Sequence, residues 1–151
     1  MVLRLSAEQS SGANILFPER CIALHGDKDT ITIGRASKSA DKGFIASAGN
    51  AWFHSPVMSR QHARLSANMD DRVRCRTFPV STTVLTSKQK VKIKDLGSLH
   101  GTFLNGDQSI TGDESIELRQ GDVLRFGAPI WRGSEQFFPT TVKVDFQFSE
   151  P

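Results

Sequence analysis

The sequence lacks any long hydrophobic run. No stretch approaches the roughly 18 apolar residues that a membrane-spanning helix requires, and the N-terminus lacks the apolar segment of a secretory signal. We therefore expect a soluble, intracellular protein in which residues 1–151 make no direct membrane contact.

Cysteine is also scarce, with Cys21 and Cys75 far apart and no CxxC or Cys/His spacing around either. This excludes a patterned zinc site and a disulfide framework. No glycine-rich phosphate loop and no set of metal ligands is present, so we expect neither a metal nor a cofactor. Both cysteines are expected to be reduced and partly buried in strands.

A sustained helical stripe of apolar residues is the third absence, and short alternating runs stand in its place. With 151 residues, 38% of them hydrophobic, the chain can form a single domain over residues 1–151. The fold class is therefore all-β: a sandwich of two antiparallel sheets with about ten to eleven strands and functional loops at one end. Strands are predicted at residues 2–5, 21–24, 30–33, 62–65, 72–76, 91–94, 115–118, 122–126 and 142–148.

Three segments are predicted as loops. Residues 36–54 form a long insertion rich in Gly, Ala, Ser and Lys. Residues 66–71 are predicted as a short polar turn, and residues 86–90 as a link between two strands. No linker divides the chain.

Four separated motifs carry the functional information: Gly34-Arg35, Ser59-Arg60-Gln61-His62, the stretch 95–103 (DLGSLHGTF) and Asn105-Gly106. In this order, on a strand-rich chain, they resemble the FHA (forkhead-associated) family. The resemblance extends over nearly the whole chain and implies an FHA-type β-sandwich that reads phosphothreonine through loops at one end.

The residue types suit that ligand on chemical grounds. A phosphothreonine carries about −1.5 to −2 charges and three acceptor oxygens, so it needs a guanidinium, a hydroxyl and N–H donors at one point. Arg35 supplies a planar fork after a strand, and Gly34 is expected to let the chain turn sharply there. Ser59 supplies the hydroxyl, and Arg60 adds charge beside it. The net charge of +3 suits an anionic partner.

The resemblance assigns a role to each motif residue. It implies that Arg35 and Ser59 hold the phosphate, and that Arg60 contacts the phosphate or the peptide backbone. His100 occupies the place of an asparagine that binds the peptide main chain in many members. The implied phosphopeptide-binding set is Arg35, Ser59, Arg60, Ser98, Leu99 and His100, and the implied supporting set is Gly34, His62, Gly101, Thr102 and Asn105.

Two departures from the family pattern stand out. Leu99 replaces a threonine or serine that commonly adds a hydrogen bond near the phosphate. The long insertion ends in residues 52–58 (WFHSPVM), an approach that resembles a fungal subgroup with nuclear Tos4-like regulators and tail-anchored SLMAP-like scaffolds. The first resemblance implies a nuclear setting with histone-deacetylase or other chromatin complexes, in cell-cycle or DNA-damage signalling. The second implies a membrane-associated phosphatase complex, anchored through a segment elsewhere.

Two other functions remain to be weighed. A hydrolase would use Ser59 with His62, but no GxSxG elbow is present, and this spacing within one strand would point the side chains to opposite faces. We expect no catalytic residues. A structural or dimerisation module that ignores phosphate would not require Arg35 and Ser59 to converge.

Two surface features also have plainer interpretations. Trp52, Phe53 and Trp131 are expected to cap the core rather than to stack on a peptide. The lysines at positions 88, 90, 92 and 94 could form a phosphate track, but alternation places Lys92 and Lys94 on the solvent face of one strand, which makes nucleic acid the weaker interpretation.

Overall fold

The computed structural model describes residues 1–8, 16–26, 28–39, 41, 43–70 and 88–148, and within them the chain forms thirteen β-strands and no α-helix. Nothing among these residues has the length and apolarity of a membrane-crossing helix. The strands are β1 (Val2–Ala7), β2 (Arg20–Ala23), β3 (Thr30–Arg35), β4 (Trp52–Phe53), β5 (Ala63–Asp70), β6 (Lys88–Asp95), β7 (Thr102–Leu104), β8 (Gln108–Ile110), β9 (Ser115–Glu117), β10 (Val123–Phe126), β11 (Ile130–Arg132), β12 (Glu135–Phe137) and β13 (Thr140–Gln147).

The strands form two main sheets and a small hairpin. One sheet has six strands in the order β2-β1-β13-β10-β7-β8, the other has five in the order β4-β3-β5-β6-β9, and β11 pairs with β12. All pairs are antiparallel except β3 with β4, which is parallel. The expected all-β sandwich is thus confirmed, although it has more strands than predicted and one sheet is mixed.

The alternation read from the sequence produces the core. In β6, Val91 and Ile93 are buried while Lys92 and Lys94 lie on the other face, half exposed. The Lys94 ammonium group pairs with Asp113 at 2.9 Å. The same alternation in the opposite sheet buries side chains of β1, β10 and β13, and the two inner faces share one hydrophobic core.

Several sequence predictions need correction. The polar stretch 66–70 is not a turn, because β5 continues through it and pairs with β6 as far as Asp70 opposite Lys88. For the same reason residues 88–90 are strand and not a link. Strands β4, β7, β8, β11 and β12 were not predicted, since runs of two or three residues are too short to show a period. The predicted strand at residues 72–76, with Cys75, lies outside the described residues.

Burial also differs from expectation at two side chains. Cys21 is exposed on β2, because its neighbours Arg20 and Ile22 take the inward positions. Trp131 is 65% exposed on the β11–β12 hairpin and does not cap the core, whereas Phe53 is buried as expected. The short hairpin is not part of either main sheet, so its alternation does not turn Trp131 inward.

Candidate functional site

The end of β3, at Arg35, lies against Ser59 in the β4–β5 loop. The Arg35 N–H donates to the Ser59 carbonyl oxygen at 3.0 Å, and this bond extends the contact between β3 and the turn that leads into β5. The side chains of Arg35 and Arg60 are exposed. In the part of the chain that the structure describes, no carboxylate pairs with either guanidinium. Two exposed arginines therefore adjoin Ser59 along the backbone, one joined to it by this hydrogen bond and the other following it in sequence.

Gly34 permits this approach for a reason different from the one expected. It is not in the left-handed region and makes no sharp turn; it lies within β3. A Cβ at this position would lie 2.0 Å from the Arg60 carbonyl oxygen and 2.6 Å from the Trp52 ring. The missing side chain is what lets the turn and β4 close onto the end of β3.

The Ser59 hydroxyl joins two loops. Its oxygen accepts the Leu99 N–H at 3.0 Å, which ties the β4–β5 loop to the β6–β7 loop. Because the Leu99 donor uses only one lone pair, the hydroxyl retains its own hydrogen to donate to an anion. The Leu99 N–H thus holds the Ser59 hydroxyl in place and leaves its hydrogen available to a ligand.

His62 is fully buried, and its ring hydrogen-bonds to the same two loops. Its Nδ1 accepts the Ser59 N–H at 3.1 Å, so the ring proton is on Nε2, which donates to the Gly101 carbonyl oxygen at 2.9 Å. Burial lowers the pKa of His62, and the Gly101 bond and the nearby Asp95 charge, which raise it, do not compensate. The imidazole is therefore neutral near neutral pH, and its two hydrogen bonds give it the structural role that the resemblance implies.

Asp95 organises the β6–β7 loop, a role that the predicted site did not include. Its Oδ2 accepts the backbone N–H groups of Gly97 and Ser98, both at 2.9 Å. Its Oδ1 accepts the hydroxyls of Ser98 and Thr102, both at 2.6 Å. Burial opposes ionisation, but these hydrogen bonds outweigh it and lower the pKa of Asp95. The sequence signal was available, because aspartate commonly accepts backbone N–H groups two and three residues later in turns.

The β6–β7 loop residues differ in what they present. The Ser98 hydroxyl donates to Asp95, so this residue shapes the loop and its hydrogen is not free for a ligand. Leu99 projects its side chain outward and is 81% exposed. His100 is half-buried beside it. Gly101 has a φ of 82°, and its carbonyl also accepts the Gly127 N–H at 2.8 Å.

Asn105 is not brought to this site. It occupies the far end of β7 with a φ of 48°, where its side chain accepts the Val123 N–H at 2.9 Å and donates to Asp122 at 3.0 Å. Together with Gly106 it forms the β7–β8 turn, which confirms its interpretation as a hairpin residue. Its support of the site is limited to fixing the strand that begins at Thr102.

The geometry does not suit Ser59 and His62 as a nucleophile and its base. Ser59 and His62 lie in a turn before β5 and not in one strand, which corrects the reason given above, but both imidazole nitrogens are already bonded to backbone groups. No nitrogen is left to deprotonate the hydroxyl. Among the described residues there is also no cluster of three His, Cys, Asp or Glu side chains that could hold a metal ion.

The comparison with protein families is decisive for classification. The model of the FHA domain matches residues 31–127, a span that contains all the loops described above. The chain belongs to the FHA family. The matched span omits β1, β2 and β13, which complete the six-stranded sheet of this FHA domain. No curated protein matches the chain in sequence.

Solved structures agree with the fold. The N-terminal FHA domain of S. cerevisiae Rad53p, in complex with a phosphothreonine peptide, has a TM-score of 0.56 at 16% identity, covering 97% of this chain and 94% of that one. The FHA domain of the CT664 protein from Chlamydia trachomatis has a TM-score of 0.53 at 18% identity, covering 98% and 100%. The MEK1 FHA domain with a HOP1 phosphothreonine peptide has a TM-score of 0.52 at 17% identity, covering 97% of each chain.

Proposed function

We propose that this FHA domain binds protein segments that are phosphorylated on threonine and so mediates regulated protein–protein interactions. The observation that carries the proposal is the backbone hydrogen bond of 3.0 Å that joins Arg35 to Ser59. Arg60 extends the same positive surface. The Rad53p and MEK1 domains, which share the fold, are described with phosphothreonine peptides, and this supports the same ligand class here.

The chemistry of the loops fits a dianion. A phosphate monoester near neutral pH offers up to two negative charges and three acceptor oxygens. The exposed Arg35 and Arg60 guanidiniums supply charge and directed N–H donors, and Ser59 supplies an O–H whose oxygen is already held by Leu99. The buried His62 ring holds Ser59 through the Ser59 N–H. Because a rigid donor loses little entropy on binding, His62 contributes to affinity without touching the ligand.

We further propose that the domain binds phosphothreonine peptides more tightly than phosphoserine peptides. A methyl group that enters an apolar niche contributes about 0.8 kcal/mol, or roughly a fourfold preference. The proposal also includes no catalytic turnover, because the neutral His62 has no free nitrogen.

The test compares three versions of one peptide, carrying phosphothreonine, phosphoserine or unmodified threonine, by isothermal titration calorimetry. We expect binding to weaken in that order. Arg35→Ala should reduce phosphothreonine binding by about 1.5–3 kcal/mol, the range for charged hydrogen bonds. Arg119→Ala is the matched control, because Arg119 is exposed but lies far from the site. It is in the turn before β10, whereas Gly101 of the site contacts Gly127 at the other end of that strand. Equal binding of all three peptides would instead support a phosphate-independent structural or dimerisation module.

We further propose a nuclear setting in cell-cycle, chromatin or DNA-damage signalling, with histone-deacetylase or other chromatin complexes among the partners. The support is the resemblance of residues 52–58 to Tos4-like regulators. Proximity labelling with the wild-type chain and the Arg35→Ala variant tests this. Arg35-dependent labelling of chromatin proteins is expected, whereas labelling of a membrane-associated phosphatase complex would favour the SLMAP-like alternative.

A further inference from the structure

The loop between β3 and β4 carries an exposed apolar patch. Phe44 is 39% exposed and Ile45 is 48% exposed, although both are large hydrophobic residues. The Phe44 ring lies against the half-buried Trp52 ring, with the centroids 4.7 Å apart and the planes tilted by 53°. We refer to Phe44, Ile45 and Trp52 together as the aromatic platform. None of its residues belongs to the phosphate site described above.

The platform is held in position by its own loop. The Ser37 N–H donates to the Phe44 carbonyl oxygen at 2.8 Å, and the Asn50 side chain donates to the Ile45 carbonyl oxygen at 2.9 Å. These bonds hold the backbone carbonyl groups of the two exposed residues. The apolar surface is therefore presented at a defined place before any partner arrives, which reduces the entropy cost of binding there.

The platform lies near Arg35 along the backbone. Trp52 packs so closely over Gly34 that a Cβ there would lie 2.6 Å from its ring, and Arg35 is the next residue. Ser37, which bonds to Phe44, lies only two residues beyond Arg35 and hence within about 7 Å of it, since an extended chain advances at most about 3.6 Å per residue. A single short peptide can reach both surfaces.

We propose that the aromatic platform binds an aromatic or branched aliphatic side chain of the same segment whose phosphothreonine is held by Arg35 and Ser59. This inference rests on the proposed function and adds to it the chemistry of the partner. The domain selects phosphothreonine sites with a large apolar residue within about four residues, the reach of about 14 Å set by an extended peptide. The phosphate supplies charge recognition, and the platform supplies sequence selectivity through apolar burial.

The experiment starts from a reference peptide that has one phosphothreonine and alanine at every other position. A series of peptides then replaces one alanine at a time by phenylalanine, up to about four residues on either side of the phosphothreonine, and the affinity of each is measured. At one or two positions we expect affinity to rise about tenfold, the effect of burying part of an aromatic ring. Phe44→Ala and Ile45→Ser should both remove this gain and leave the affinity for the all-alanine phosphopeptide unchanged. Ile45→Ser is included because Phe44→Ala also disturbs the Trp52 contact.

Phe148→Ala is the matched control. Phe148 is 62% exposed and follows the last residue of β13. The first residue of β13, Thr140, pairs with Phe126, which is beside the site. Phe148 therefore lies at the opposite end of the six-stranded sheet from the site. This control should retain the full gain from phenylalanine.

The outcomes separate the two proposals. If the all-alanine phosphopeptide binds but phenylalanine raises affinity nowhere, or the gain survives in both platform variants, the platform proposal is overturned and phosphothreonine binding stands. If no phosphopeptide binds, both are overturned. Sedimentation analysis gives a third outcome: self-association abolished by Ile45→Ser would show that a second copy covers the platform, and that also overturns the proposal.

Discussion

The substitution Gly34→Ala tests how the site is assembled. The added methyl group would lie 2.0 Å from the Arg60 carbonyl oxygen and 2.6 Å from the Trp52 ring. Ordinary contacts between nonbonded carbons are about 3.5–4.0 Å, so the strand and the turn would have to separate by more than about 1 Å. The nearest obstacle is backbone, which cannot rotate away as a side chain can.

The separation has a local and a global consequence. The adjacent bond from the Arg35 N–H to the Ser59 carbonyl, 3.0 Å long, would be stretched beyond hydrogen-bonding distance. Overpacking typically costs about 1–3 kcal/mol, and loss of a hydrogen bond adds about 1 kcal/mol. We therefore expect the free energy of unfolding to fall by about 2–4 kcal/mol, and phosphopeptide affinity to fall at least tenfold even where the variant remains folded.

The assay is urea denaturation followed by peptide binding at a temperature where both variants are folded. Gly49→Ala serves as the control, because a Cβ there meets nothing within 4 Å and its φ is not in the left-handed region. The control should be neutral or slightly stabilising, by up to about 1 kcal/mol. If Gly34→Ala unfolds at the same urea concentration as Gly49→Ala and binds normally, the close approach does not assemble the site.

Three further predictions concern the loops around the site. Asp95→Ala should lower the free energy of unfolding by about 3 kcal/mol in urea titrations, because it leaves the buried Thr102 hydroxyl and the Ser98 donors without their acceptor; an unchanged midpoint would contradict this. Stability should fall as the pH drops below about 6.5, because burial lowers the pKa of His62 and only the unfolded chain gains that proton. It should fall again below about 3.8, because the pKa of Asp95 is also lowered in the folded protein and the unfolded chain is protonated first. In pH titrations of the unfolding free energy, His62→Asn should flatten the first decline and leave the second. Leu99→Thr should strengthen phosphothreonine binding severalfold in calorimetry by restoring a hydroxyl at an 81% exposed position, with Leu99→Val as the β-branched control that should not.

The longer strands could be predicted from the sequence because each carries a period. Strand β6 alternates buried Val91 and Ile93 with half-exposed lysines, and β13 shows the same pattern. Period failed where the run was short, as at β4, or where polar residues continue a strand, as in residues 66–70 of β5. There the pairing partner β6 decides the conformation, and residues that lie 18 to 26 positions away in sequence leave no local signal.

The site shows the same division at the level of single residues. Arg35, Ser59 and His62 were identified by residue type and motif order. Asp95 was overlooked as a loop organiser, and Ser98 was assigned to the ligand although its hydroxyl is bonded to Asp95 at 2.6 Å. Motif order indicates which residues gather, but only distances show which donors remain free.

By itself, then, the chain's order of residue types determined that alternating strands would bury one core, and it identified Arg35, Ser59 and His62 as candidates for one site. Tertiary structure alone decided that the backbones of Arg35 and Ser59 meet, that His62 is buried and neutral, and that Phe44 and Ile45 remain exposed. The physical reason is that period and propensity act along the chain, whereas close approach, burial and donor availability depend on segments that are distant in sequence.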